Sequence, residues 1–208
     1  MWQDVASHGR QEFQNLADLE IRMEEVERAL TALCLGFAKV SSDTLRSGLV
    51  RALDLRAKPA RKKGKSLYEG LNQLIHYWYC CAAAKYLLAQ GCIELVVHPT
   101  GHDSGSKETP NYDIAAKTSD GMSLIAEVFC VSSGLFNSKV GKTLEKFDKA
   151  DDTVHRIIFH NQVDGRTLGA RSRELYVFSI EAESGQVTPV LCTESRPRLH
   201  FWPAAAGR

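Results

Sequence analysis

The fold is decided by residues 111–131, NYDIAAKTSDGMSLIAEVFCV, which hold two β-rich runs, 111–118 and 122–131, on either side of an Asp-Gly step. That step between two such runs strongly indicates a β-hairpin. If the chain turns through residues 119–121, residue 118 pairs with residue 122, and counting back places Asp113 opposite Glu127. A two-residue loop would shift the register by one and leave the two acids diagonal. Either register predicts two carboxylates on neighbouring strands.

The run around Glu127 is apolar at successive positions, which is typical of a strand buried on both faces. Its apolar members are Leu124, Ile125, Ala126, Val128, Phe129 and Val131. An ionised acid in such a strand is costly unless it is paired or binds a metal. Oxygen ligands suit Mg²⁺ or Mn²⁺, so Asp113 and Glu127 are candidate metal ligands. The alternative is a surface hairpin whose acids pair with Lys117 and Lys139 and perform no chemistry.

The segments around the hairpin predict an α/β fold, a mixed central sheet flanked by helices. Ser66 with Glu69 three residues on has capping-box spacing, and opens a helix that ends near Gly91. A strand at 92–98 and a polar loop at 99–110 precede the hairpin. A helix over about 138–152 and strands at 156–160 and 174–180 follow it. We expect a core at 66–180, and a mostly irregular tail at 181–208.

Residues 1–65 are predicted to form an N-terminal helical region with a basic loop. A helix over 11–38 carries an apolar stripe at alternating three- and four-residue spacing, made of Leu16, Leu19, Met23, Val26, Leu30, Leu33 and Phe37. This stripe either packs on its own domain or forms a dimer seam. A second helix is expected at 43–56. The loop at 56–65 is the one dense basic cluster of the sequence, and it is either merely solvated or a phosphate contact.

Composition is that of an ordinary globular protein, with 44% hydrophobic and 25% charged residues. The net charge of +1 favours no class of partner by itself. The six cysteines lack metal-ligand spacing and suggest buried thiols of a cytosolic protein. No run approaches the apolar length of a membrane span. We therefore expect a soluble, cytoplasmic protein.

Over residues 66–180 the chain resembles the PD-(D/E)XK, or restriction-endonuclease-like, nuclease family. The residues that carry the resemblance are PNYD at 110–113 and AEVF at 126–129, within the predicted order of helices and strands. The resemblance implies a Mg²⁺- or Mn²⁺-dependent DNA endonuclease with Asp113 and Glu127 as metal ligands. The family's third motif position is usually lysine, and here it is Phe129.

Three lysines are candidates to replace the missing one, in the order Lys142, Lys139 and Lys117. The resemblance also matches Glu69 to an acid that the first core helix often contributes, although its capping role is an equal explanation. Double-stranded DNA is the implied partner, and a two-fold dimer through the 11–38 helix would address both strands. The expected backbone contacts are Arg56, Arg61, Lys62, Lys63, Lys65 and Asn137, with Ser132 and Ser133 as further polar contacts.

Two other interpretations compete with the nuclease. A nuclease-like fold that has lost its lysine could bind nucleic acid or a protein partner without catalysis. An unrelated α/β binding protein is the third. Phe129 is the residue that separates the first interpretation from the second.

Overall fold

A computed structural model describes residues 11–40, 67–98, 112–161 and 175–192, and shows a mixed α/β fold. Its three helices are α1 (Leu16–Val40), α2 (Leu67–Ala89) and α3 (Ser133–Phe147). Its strands are β1 (Gln11–Phe13), β2 (Cys92–Val97), β3 (Ile114–Thr118), β4 (Ser123–Phe129), β5 (His155–Asn161), β6 (Leu175–Ile180) and β7 (Val187–Cys192). None of the helices in these ranges is long and apolar enough to cross a membrane.

All seven strands form one sheet in the order β1-β2-β3-β4-β5-β6-β7. The strands from β1 to β4 pair antiparallel, β4, β5 and β6 are parallel, and β7 returns antiparallel to β6. Helix α3 is the crossover that a parallel β4–β5 pair requires. The predicted α/β class with a mixed sheet flanked by helices is thereby confirmed.

The β3–β4 hairpin has the first of the two registers derived from the sequence. Ile114 pairs with Ala126 and Lys117 with Ser123, so one further step places Asp113 opposite Glu127. The Thr118 N–H donates to the Met122 carbonyl over 2.8 Å and closes the turn. Gly121 has φ +85°, a conformation that glycine adopts at no steric cost. Local turn chemistry thus sets the position of both acids.

Each face of the sheet has its own hydrophobic core. On one face, Leu124, Ala126 and Val128 of β4 pack in the core that includes the buried residues of α1 and α2. On the other, Ile125 and Phe129 pack with residues of α3. Strand β4 is therefore buried on both faces, as its sequence predicts.

Part of the apolar stripe of α1 packs within the chain, while Leu16 is 38% exposed and the side chain of Phe37 lies outside the described part. Leu19, Val26 and Leu33 are at most 3% exposed and belong to the core shared with α2. The predicted start at residue 11 is wrong, because residues 11–13 form β1. Asn15 caps the N-terminus of α1, because its side-chain oxygen accepts the Asp18 N–H over 2.9 Å.

Two other predicted boundaries need correction. Helix α3 spans residues 133–147 rather than about 138–152. It ends early because the Arg156 guanidinium donates to the Phe147 and Ala150 carbonyls and so satisfies groups at the helix end. The region expected to be an irregular tail supplies β7 to the sheet. The predicted helix at 43–56 and the basic loop at 56–65 lie outside the described residues.

Candidate active site

A cavity of about 190 Å³ lies between the β3–β4 hairpin and α3. Its lining residues are Asp113, Glu127, Lys139, Lys142, Thr143 and Lys146. The hairpin register supplies the two acids. Helix α3 supplies the other four residues. Counted from Lys139, the other three follow at three, four and seven residues, which places all four on one face of the helix. The result is two carboxylates facing three ammonium groups across a small space.

Glu127 is 4% exposed and forms an ion pair with Lys146 through Oε1. Burial raises the pKa of Glu127, and the negative charge of Asp113 raises it further, to about 7. Lys146 opposes this rise but does not cancel it. The carboxyl group of Glu127 is therefore close to its titration midpoint at neutral pH.

Asp113 is 5% exposed, and its Oδ2 accepts the Val128 N–H over 2.8 Å. The same oxygen lies 3.5 Å from Nε2 of His76 on α2. Burial alone would raise the pKa of Asp113, but the His76 charge and these hydrogen bonds hold it below the ordinary value. Asp113 therefore stays ionised where Glu127 is near its midpoint. Two neighbouring carboxyls with pKa values pushed apart are a feature of acid–base sites.

His76 of α2 was not among the site residues predicted from the sequence, although it contacts Asp113. Its Nε2 is 2.9 Å from the Val128 carbonyl and 3.7 Å from the Cys80 sulfur. Burial disfavours the charged ring, yet Cys80 and Asp113 raise the pKa of His76 well above its ordinary value. Because burial also raises the pKa of Cys80, that sulfur is a thiol at neutral pH, and Asp113 is the charge that stabilises the imidazolium.

Lys146 was also missed among the candidate lysines, although its seven-residue spacing from Lys139 places both on one helix face. Its Nζ lies 4.9 Å from the centre of the Tyr112 ring, within cation–π range. The Tyr112 hydroxyl donates to the Lys146 carbonyl over 3.4 Å. Tyr112 thus contacts both the backbone and the ammonium of this lysine.

Phe129, which stands where the family motif has lysine, is a core residue. It is 1% exposed, and its ring lies 5.8 Å from that of Phe136 and 6.3 Å from that of His160. The Nζ of Lys139 is 5.9 Å from the Phe129 ring centre. Helix α3 therefore brings an ammonium group beside the position that carries no lysine of its own.

The structure brings four of the proposed site residues together and separates others. Asp113, Glu127, Lys139 and Lys142 share the cavity. The expectation that Lys117 reaches the site is wrong, because its Nζ pairs with Glu94 of β2 over 2.6 Å. Asn137 and Ser132 are exposed and do not line the cavity.

Several proposed contacts fall outside what the structure describes. The backbone of Glu69 lies in α2, but its side chain is outside the described part, as is that of Ser133 in α3. All residues of the basic loop are also outside it, namely Arg56, Arg61, Lys62, Lys63 and Lys65. Their roles stay predictions from the sequence.

The donor set of the cavity suits a cation that keeps much of its hydration. Within the described ranges, no three His, Cys, Asp or Glu side chains converge as a complete metal cage. Mg²⁺ commonly takes one or two carboxylates and completes its shell with water and phosphate oxygens. The hydrogen bonds described above use one oxygen of Asp113 and one of Glu127, and each carboxylate has a second. The two acids therefore fit such an ion.

Comparisons with protein-family models, with curated proteins and with solved structures found no match to this chain. The functional argument rests on the geometry of the cavity and on the residues that line it.

Proposed function

We propose that this chain is a metal-dependent endonuclease that hydrolyses phosphodiester bonds in double-stranded DNA, with a restriction-endonuclease-like core. The observation that carries the proposal is the position of Asp113 and Glu127, opposite in register, buried, and lining one cavity with three lysines. The order of elements adds support. Helix α2, the meander β2–β3–β4, the crossover α3 and the parallel strand β5 follow the order that the resemblance implies.

Asp113 and Glu127 would hold Mg²⁺ or Mn²⁺. When bound, such an ion lowers the pKa of a coordinated water and offsets negative charge on the phosphate. His76 and the Val128 N–H fix the orientation of the Asp113 carboxylate. Lys139 and Lys142 place positive charge in the cavity, where they would contact a phosphate oxygen and stabilise charge that develops during hydrolysis.

DNA would approach along the exposed side of α3. Lys142 and Asn137 are exposed there, and Lys149 extends the basic side of the helix beyond the cavity. The basic loop at 56–65 would add backbone contacts that position the duplex without reading its sequence. A two-fold dimer, which would present two sites to two strands, would use the outer face of α1, where Ile21 and Leu35 are exposed.

A second candidate function is a catalytically inactive nuclease fold that binds nucleic acid or a protein partner. The observation in its favour is the ion pair between Lys146 and Glu127, which neutralises the acid without a metal. The burial of Phe129 in the core adds to it, since no lysine follows Glu127 on the strand. This candidate predicts binding without cleavage.

Incubation of the full chain with supercoiled and linear DNA, with and without Mg²⁺ or Mn²⁺, tests the proposal. We expect metal-dependent nicking or cutting that Asp113→Asn and Glu127→Gln each reduce by at least about 100-fold, since each removes a charge that holds the metal. Glu145→Gln is the matched control, because Glu145 is an exposed acid of α3 that does not line the cavity.

The two candidates separate clearly in this assay. Cleavage that survives Asp113→Asn comes from a contaminant or another site and contradicts the proposal. If no metal produces cleavage but DNA shifts in a gel with salt-sensitive affinity, the inactive binding protein is the better assignment.

A further inference from the structure

Lys146 occupies one of the two carboxylates that the proposed function assigns to the metal. Its Nζ contacts Glu127 Oε1 in a nearly enclosed setting, where the acid side chain is 5% exposed and the lysine side chain 27%. Charges that meet out of water interact more strongly than they do at the surface. A divalent cation that approaches Glu127 therefore meets an ammonium group already bonded to that acid.

The ammonium also has a contact that does not involve Glu127. The Tyr112 ring lies 4.9 Å from Nζ, and Lys146 lines the cavity together with Lys139 and Lys142. Lysine carries its charge on a flexible four-carbon stem, so Nζ moves without a shift of the helix backbone. The side chain can leave the acid and remain in the cavity.

We propose that Lys146 is an exchangeable counter-ion of Glu127, which a divalent cation has to displace in order to bind. This inference rests on the proposed metal site and adds to it the residue that sets its affinity. In the metal-free chain, Lys146 offsets the repulsion between two buried acids. A bound divalent ion would take over that role, and its charge would disfavour the contact of the Lys146 Nζ with Oε1.

The neighbouring lysines provide an internal comparison. Lys142 lines the same cavity and carries the same charge as Lys146. Its side chain is exposed, however, and it is Lys146 that forms the ion pair with Glu127. Loss of either lysine removes one positive charge from the cavity. Loss of Lys146 alone also removes the group bonded to Glu127, so the two variants separate general repulsion from displacement.

Mn²⁺ binding to the full chain without DNA tests the inference, with the paramagnetic resonance signal of unbound Mn²⁺ as the readout. We expect Lys146→Met to tighten Mn²⁺ binding by about tenfold or more, since it removes a charged hydrogen bond that binding must otherwise break. Lys142→Met should give a gain several-fold smaller. Lys146→Arg keeps the charge and the bond to Glu127, so it should bind Mn²⁺ no more tightly than the wild type. It is the variant to measure if Lys146→Met does not fold.

The outcomes separate this inference from the proposed function. If Lys146→Met and Lys142→Met tighten binding equally, or if Lys146→Arg tightens it as well, the displacement model is wrong while the metal site stands. Asp113→Asn should abolish Mn²⁺ binding at this site. If neither the wild type nor Lys146→Met shows Mn²⁺ binding that depends on Asp113, there is no metal site here, and Lys146 is a permanent partner of Glu127. Mn²⁺ binding to Lys146→Met but not to the wild type would show that Lys146 blocks the site and is not exchanged, and would contradict displacement.

Discussion

At the scale of single residues, the two acids of the cavity differ because their nearest cations differ. Asp113 is held by His76 and by a backbone N–H, and its pKa lies below the ordinary value. Glu127 is buried in an apolar strand beside the negative charge of Asp113, and its pKa is raised to about 7 even though Lys146 pairs with it. At neutral pH the carboxyl group is therefore ionised at Asp113 and close to its titration midpoint at Glu127.

The raised pKa of Glu127 predicts a specific pH dependence of stability. The native state binds a proton at Glu127 more tightly than the unfolded state does, so this group stabilises the fold at low pH, and that contribution is lost as pH rises from about 4.5 to about 7. We expect the stability advantage of the wild type over Glu127→Gln to be larger at pH 5 than at pH 8, as measured by urea denaturation.

Asp113→Asn is the control, because the shift at Asp113 has the opposite sign. Because the pKa of Asp113 is lower in the native state, this group stabilises the fold at a pH above its ordinary pKa. That stabilisation is lost as the pH falls through the native pKa. The advantage of the wild type over Asp113→Asn should therefore shrink below about pH 4. Parallel pH profiles for the two variants would contradict the assignment of the two shifts.

At the scale of elements, β4 has two packed faces, and Phe129 belongs to the face that packs on α3. Its ring lies under the start of α3, in contact range of Phe136 and His160. A lysine at this position would have to place its ammonium in the α3 core. The packing of α3 on β4 and a lysine at position 129 are therefore mutually exclusive arrangements.

We expect Phe129→Lys to destabilise the chain by about 3–5 kcal/mol, because it removes a buried aromatic ring and buries a charge. Chemical denaturation measures the loss, and DNA cleavage should not rise above that of the wild type. Phe129→Leu, which keeps an apolar side chain, is the control and should cost about 1–2 kcal/mol. A Phe129→Lys variant that is as stable as the control and cleaves DNA faster would show that position 129 is a dormant motif site.

The sequence predicted those parts of the site that depend on local signals. The hairpin followed from the Asp-Gly turn with two possible registers, of which the structure has the first, and the burial of Glu127 followed from its apolar neighbours. Lys146 and His76 were missed because their contacts with Glu127 and Asp113 depend on how α3 and α2 lie on the sheet. Periodicity reveals which helix face is shared but not what that face meets. The early end of α3 depends in the same way on Arg156, which arrives from the next strand.

At the scale of the whole molecule, β4 joins an antiparallel half of the sheet to a parallel half. The candidate site lies at this junction, with one acid from the antiparallel neighbour and one from β4 itself. Strand β7 pairs antiparallel with β6 at the far end of the parallel half, although it lies in the region that was expected to be a mostly irregular tail. Its pairing with β6 is a long-range property that composition does not report.

Truncation after Ile180 tests the importance of β7. Strand β6 contributes Tyr176, Phe178 and Ile180 to the core, and it would become an unpaired edge. We expect the truncated chain to be largely insoluble or to lose its near-ultraviolet circular dichroism, while Val190→Ser, at an exposed position of β7, leaves both unchanged. A soluble truncated chain with native dichroism would show that β7 is dispensable.

The two outer strands of the sheet have a consequence for how copies of this chain meet. Within the described residues β1 spans three residues, and β7 carries Pro189, opposite Phe178, where the pairing is also irregular. Proline has no N–H to donate to an added strand. A short strand offers an added strand few backbone groups to pair with. Strand-by-strand growth into fibrils is therefore disfavoured at both ends of the sheet as the described residues form it, even though its interior strands are rich in the residues that amyloid favours.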